Sequence, residues 1–194
     1  MRHLNFAELV AMLTPTLVKN EEELLQIHQL NDQNLKQKLS VQMQAREGFV
    51  TWLYSIDLLK KMHELAPSII IKDNEKLVAY ALTTLKEATL FHGDLKGMFQ
   101  NLETVQYKDQ PLSTQNFCCM GQICVDKEYR GKGLVHMLYQ KHKEVYSPLY
   151  HFILTEISKN NYRSVKAHEK MGFQSIYTYG DAMDEWNVVV WDWN

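Results

Sequence analysis

The segment from Asp126 to Tyr139, DKEYRGKGLVHMLY, sets Arg130, Gly131, Lys132 and Gly133 side by side and then turns apolar at Leu134, Val135, Leu138 and Tyr139. That apolar spacing predicts a helix directly after the glycines. A helix start leaves backbone N–H groups unpaired and carries partial positive charge, and glycines let a ligand approach bare backbone, so the segment suits a phosphate. Arg130 and Lys132 would add charge-assisted contacts. The tetrapeptide alone fits an ordinary strand-to-helix turn with two solvated basic side chains equally well. It is neither of the two common phosphate fingerprints: Gly133 follows Lys132 where a Walker loop has Ser or Thr, and His136 stands at the third glycine of a dinucleotide loop.

Other chemistry-bearing residues narrow the choices. His92, His136, His142 and His151 match no metal-ligand spacing, so no metal is expected. Cys118, Cys119 and Cys124 suit neither a disulfide framework nor a zinc site, which points to a reducing, cytoplasmic setting and to buried core thiols. In a regular strand Cys118 and Cys124 would share one face and Cys119 the other. The 194 residues carry 21 basic and 23 acidic side chains, a net charge of -2. No general field for nucleic acid or an anionic membrane follows from that balance, so recognition of an anion must be local. No stretch is apolar for the ~20 residues of a membrane span.

The elements that must position the loop come in a definite order. Phe6, Leu9, Val10 and Leu13 predict an amphipathic first helix, and Glu8 interrupts what would otherwise resemble a signal segment. Asn20 with Glu23 caps a second helix, and Ser55 caps a third that Pro67 ends. SIIIKDNEKLVAYALTTL then reads as a hairpin turning at Asp73 to Lys76. Residues 86–115 form a long polar connection with one short helix in LKGMFQNLETV, either a wall or a lid. FCCMGQICV is a strand, GLVHMLYQKHKEVY a helix, HFILTEI a strand and NYRSVKAHEKM a helix; FQSIYTY and EWNVVVWDW close the chain as strands. Helices followed by strands alternating with helices describe one α/β (α+β) domain over residues 1–194, with residues 1–66 helical and 67–194 built on a sheet.

ICVDKEYRGKGL, followed further along by NYRSVKAHEKMGF, resembles the paired signature motifs of the GNAT superfamily of N-acetyltransferases. Arg130 opens the first, R/Q-x-x-G-x-G/A, and Gly133 takes its required glycine; Asn161 begins the second and Gly172 and Phe173 end it. The motif-bearing part runs from Ser68 to Phe173. This resemblance implies a mixed, mostly antiparallel sheet flanked by helices, its fourth and fifth strands splayed to admit acetyl-CoA. The edge formed by Ile123, Cys124 and Val125 would pair with pantetheine. The amides of Arg130, Gly131, Lys132, Gly133, Leu134, Val135 and His136 would hold the pyrophosphate, with Asn161 as a further cofactor contact or simply a helix cap. Val135 departs from the usual glycine or alanine and either crowds the phosphate or points into the core.

The resemblance also implies the chemistry, direct acetyl transfer to a primary amine of a small molecule or peptide. Such a transfer needs a neutral nucleophile, a polarised carbonyl and a proton for the leaving thiolate. Glu156 matches a position where some members place a general base; it would otherwise bind the acceptor amine or face solvent. His168 stands where a tyrosine acid is common, and imidazole can also donate a proton. The rival is a non-catalytic acyl-CoA-binding module that kept the fold. Residues 1–66 and the connection 86–115 are expected to shape the acceptor pocket. Trp52, Trp186, Trp191 and Trp193 are expected as packing anchors, and Trp186 and Trp191 are placed to support a homodimer.

Overall fold

A computed structural model describes residues 13–194 of the chain. The helix expected from Phe6, Leu9 and Val10 falls outside the described residues. Among the described residues a short strand, β1 (Pro15–Leu17), comes first. Three residues show no period in a sequence, and proline suits an edge position, which is where β1 lies. Helix α1 (Glu21–Gln33) begins as expected: Asn20 Oδ1 accepts from the Glu23 N–H at 3.0 Å, and Glu23 Oε2 accepts from the Lys19 N–H at 2.7 Å. Helices α2 (Val41–Glu47) and α3 (Ile56–Leu65) are capped by Ser40 and Ser55. α3 buries Leu58, Leu59 and Met62, the face its spacing predicts.

The hairpin of β2 (Ile69–Asp73) and β3 (Lys76–Thr84) turns at Asn74, whose φ of 52° is left-handed. The connection that follows is more structured than expected. It carries a 3₁₀ turn (Lys86–Leu90), helix α4 (Gly93–Leu102) and a small hairpin of β4 (Gln106–Tyr107) and β5 (Gln110–Pro111). Then come β6 (Phe117–Val125), α5 (Leu134–Tyr146), β7 (Phe152–Ser158), α6 (Tyr162–Met171), β8 (Gln174–Gly180) and β9 (Glu185–Asp192).

Among the described residues seven strands form one sheet in the order β1-β2-β3-β6-β7-β9-β8, and every pair is antiparallel except β6 with β7. That parallel pair holds only where Phe117, Cys118 and Cys119 face Phe152, Ile153 and Leu154. Beyond it β6 follows β3 while β7 follows β9, and the two strands part. Thr155 Oγ1 donates to the Met120 carbonyl at 2.8 Å at the point of divergence.

A bulge at Gly121 lies beside this fork, where the register passes from Thr83 opposite Met120 to Leu82 opposite Gln122. A Cβ on Gly121 would sit 2.2 Å from Thr84 Oγ1, so only glycine fits. The extra residue inverts the alternation and corrects the expectation for the cysteines. Cys118 packs with Leu138 and Tyr139 of α5, whereas Cys124 packs on the opposite face with Tyr80 and Leu24. All three cysteines are buried and free. The core is thus split by the sheet, with α5 and α6 on one face and α1, α3 and α4 on the other.

Candidate active site

Two cavities open on the fork between β6 and β7, one of about 470 Å³ bordered by the glycine loop and α6, the other of about 300 Å³ bordered by α4, β7 and β8. Phe49, Val50, Ile123, Asn161, Ser164 and His168 border both. These residues form the wall that the two cavities share.

The glycine loop is built by backbone. Asp126 accepts from the Glu128 N–H at 3.0 Å, and its own N–H donates to the Val78 carbonyl at 2.8 Å, which fixes the exit from β6. Gly131 and Gly133 adopt φ of 74° and 81°, left-handed values that glycine takes without strain. No side chain caps α5 at Gly133, so the first-turn amides are left for an anion, and a Cβ at Gly131 or Gly133 would meet open space. Val135 borders the cavity while packing partly against the core, so its branch points inward.

The charges around this cavity differ from the expectation. Arg130 donates through Nε to the Val125 carbonyl (3.0 Å), through one terminal nitrogen to Glu47 (2.8 Å) and through the other to Asn34 Oδ1 (2.6 Å). Its guanidinium is a strut to the front helices, and the contact it brings to the loop is its backbone. Lys132 holds its Nζ over the ring of Tyr129, a residue of the cavity wall, at 4.7 Å, and does not itself border the cavity. Arg163, Lys166 and Lys170 of α6 supply the positive side chains instead, on one side of the helix. Their spacing of three and four residues was a visible signal. Glu47, the cavity's one carboxylate among the described residues, is paired with Arg130 and held below the usual carboxylate range by its bonds to Arg46 and Arg130.

Ile123, Cys124 and Val125 pair with β3 on one side only and turn their other edge to the fork. Asn161 uses its side chain inside the protein: Oδ1 caps α6 at Ser164, and Nδ2 donates to the Phe49 carbonyl at 2.8 Å. This bond ties α6 to a strap, residues 48–54, that crosses the fork. Asn31, 0 % exposed, holds the same strap by donating to the Trp52 carbonyl and accepting from the Tyr54 N–H. Gln122 also donates to the Trp52 carbonyl, oriented by the Tyr80 hydroxyl. Lys36 then ties the front segment to the β8–β9 turn through Asp184 at 2.7 Å.

His168 is 1 % exposed and both its nitrogens are engaged. The Tyr139 hydroxyl donates to Nε2 at 2.6 Å, and Nδ1–H donates to the Ser164 carbonyl at 2.7 Å. Burial pushes its pKa down to about 4, so the ring is neutral near pH 7. Glu156 differs. Burial pushes its pKa up to about 7 against the hydrogen bond from Tyr179, 2.8 Å from Oε2, while Oε1 is buried without a partner. Glu156 borders the smaller cavity and His168 borders both.

A family model described as Acetyltransferase (GNAT) family matches residues 32–173, which span the fork, the glycine loop and α6. The chain belongs to this family. Solved structures of similar fold agree with that membership. The ribosomal-protein-S18-alanine N-acetyltransferase from Escherichia coli superposes with a TM-score of 0.61 at 13% identity, covering 93% of this chain and 94% of that one. An N-acetyltransferase from Staphylococcus aureus Mu50 gives 0.60 at 17%, covering 94% and 99%. The yncA protein from Salmonella typhimurium, solved with its cofactor acetyl-CoA, gives 0.62 at 11%, covering 94% and 95%. No curated protein matches the sequence.

Within this GNAT fold, sequence reasoning did not reach Tyr179, the partner of Glu156, nor the buried amides of Asn31 and Gln122 that hold the strap. Tyr179 lies in a largely exposed strand, β8, and its partner is on β7 with β9 between them. Trp186 is buried on the wall of the smaller cavity, and Trp191 packs against Tyr139 and Phe173.

Proposed function

We propose that the chain is an acetyl-CoA-dependent N-acetyltransferase that moves the acetyl group directly to a primary amine, with residues 1–66 forming much of the acceptor side. The observation that carries this reading is Glu156, whose unpartnered Oε1 borders one cavity while a backbone anion cradle borders the other, the two meeting at the fork. In this reading the amides from Gly131 to His136, with Arg163, Lys166 and Lys170, hold the diphosphate, and the free edge at Ile123, Cys124 and Val125 takes the pantetheine amides. Acetyl-CoA supplies an activated acyl carbon.

Glu156 prepares the nucleophile. Freeing a lysine-like amine of its proton at pH 7 costs roughly 4.6 kcal/mol, and a carboxylate with a pKa of about 7 is poised to accept it. One ammonium proton passes to Glu156 and on to solvent. As the C–N bond forms and the C–S bond breaks, a second nitrogen proton goes to the departing sulfur. Cys119, the thiol bordering the acceptor-side cavity, has its pKa raised by burial and by the neighbouring Cys118 and Glu156, which argues against an acylated cysteine on the path. We assign His168 to positioning the Ser164 turn of α6 at the shared wall, because both its nitrogens are occupied. Three free buried thiols fit a cytoplasmic setting.

The sequestered His168 favours one rival, an acyl-CoA-binding module without turnover. Calorimetry of acetyl-CoA with the parent and with Gly133→Asp, followed by thiol release over an amine panel from about pH 6 to 9, separates the two. Binding lost in a folded Gly133→Asp, with thiol release rising through about pH 7, is the expected result. Binding with no thiol release from any amine would establish the module.

A further inference from the structure

The two sides of the fork carry opposite charge. Arg163, Lys166 and Lys170 border the cofactor-side cavity, whereas the acceptor-side cavity is bordered by Asp94, Glu156 and Asp181 and by no lysine or arginine among the described residues. The three carboxylates come from separate elements: the first turn of α4, β7 and the β8–β9 turn. They do not serve the same purpose. Asp181 Oδ1 accepts from the Met183 and Asp184 amides at 2.7 and 2.9 Å, which keeps the carboxylate fixed and ionised, and its charge reaches Glu156. Asp94, with a side chain 67% exposed, stands at the mouth with Asp181 and the exposed Met183.

Two further features say that a ligand belongs there. Polar atoms of wall residues are buried without partners, Glu156 Oε1 and Trp52 Nε1. At the Ser158 side of the cavity Ser158 donates to Asp184 at 2.7 Å and Lys36 pairs with the same carboxylate, so that carboxylate is already neutralised. Asp94 and Asp181 border the same cavity as Glu156 and are the carboxylates left to a second charge on a molecule bound there.

We propose that the acceptor is a small aliphatic diamine or polyamine, with one amino group at Glu156 and a second, cationic one held at the mouth by Asp181 and Asp94. The inference rests on the N-acetyltransferase reading and adds a second charge to its substrate. The outer ammonium stays protonated and fully charged, while the inner nitrogen gives up its protons as described above. Trp52 and Tyr179 border the same cavity and supply apolar surface for the aliphatic stem.

The test compares 1,4-diaminobutane, butylamine and 4-amino-1-butanol at saturating acetyl-CoA. The diamine should exceed both monoamines in kcat/KM by about tenfold or more at low ionic strength, an advantage that shrinks with added salt. Asp94→Asn with Asp181→Asn should collapse that ratio, and the single Asp94→Asn, at an exposed position, should reduce it in part. Equal rates for diamine and monoamines, or a ratio that survives the double variant and high salt, would overturn the diamine inference alone. Acetyl-CoA binding with no turnover of any amine would overturn the N-acetyltransferase reading and this inference with it.

Discussion

Replacing Glu156 by glutamine sets function against stability in a way that can be worked from the structure. The carboxyl is raised from its ordinary 4.5 to about 7, by burial first, against the Tyr179 hydrogen bond and with a smaller contribution from Asp181. A rise of that size corresponds to roughly 3 kcal/mol that the folded state bears once the group ionises. Between pH 4.5 and about 7 the native form holds more proton than the unfolded chain, so the stability is full below 4.5 and is lost as pH rises through about 7. Glutamine carries no charge at any pH and leaves an oxygen for Tyr179. Near pH 4.5 the variant and the parent should unfold at similar temperatures. At about pH 8.5 the variant should be more stable by up to about 3 kcal/mol, or roughly 6–12 °C for a chain of this size. Its kcat/KM should fall by roughly 10²–10⁴-fold in the same preparation. Thermal unfolding followed by circular dichroism at both pH values reads the stability half. A gap that is the same at both pH values, or a variant less stable than the parent at the higher one, would refute the account of Glu156 as a carboxylate ionised against its surroundings.

Tyr179→Phe removes the bond that holds the Glu156 pKa down; a hydrogen bond to a charged group is worth roughly 1.5–3 kcal/mol, so the acid limb of the kcat/KM profile should move up by about 1–2 pH units. An unmoved limb would separate Tyr179 from Glu156. Neutralising Arg163, Lys166 and Lys170 together should weaken acetyl-CoA binding by about tenfold or more and flatten its salt dependence in calorimetry; unchanged affinity would leave the diphosphate to the loop backbone alone. Gly121→Ala places a Cβ against Thr84 Oγ1 and should cost about 2 kcal/mol or more in denaturant unfolding, with much of the loss recovered in the Gly121→Ala, Thr84→Ala double variant.

What was legible in the sequence follows from which contacts are local. β6, α5, β7 and α6 lie where their periods predict, because each carries its apolar face over seven or more residues of its own. The glycine loop was legible for the same reason, since positive φ is a property of Gly131 and Gly133 themselves. A glycine inside FCCMGQICV was a signal for a bulge, and missing it put Cys118 and Cys124 on one face. The burial of His168 was also visible, three residues from both Val165 and Met171 on the side of α6 that packs inward.

Arg130 could not be resolved this way. Its partners Glu47 and Asn34 lie 83 and 96 positions away, and Lys36 meets Asp184 across 148. Each of these front-segment groups pairs with a residue near the fork, Asn34 and Glu47 with Arg130 beside the larger cavity and Lys36 with Asp184 in the β8–β9 turn. The strap across the fork is set in the same way, by Asn31, Gln122 and Asn161, through polar pairs that close only in the folded chain. The glycine loop needs only local backbone geometry, so its shape can be read from a short motif. The smaller cavity depends on where Asn31, Gln122 and Asn161 find partners, and that dependence is why its charge pattern emerged from the cavity and not from the chain.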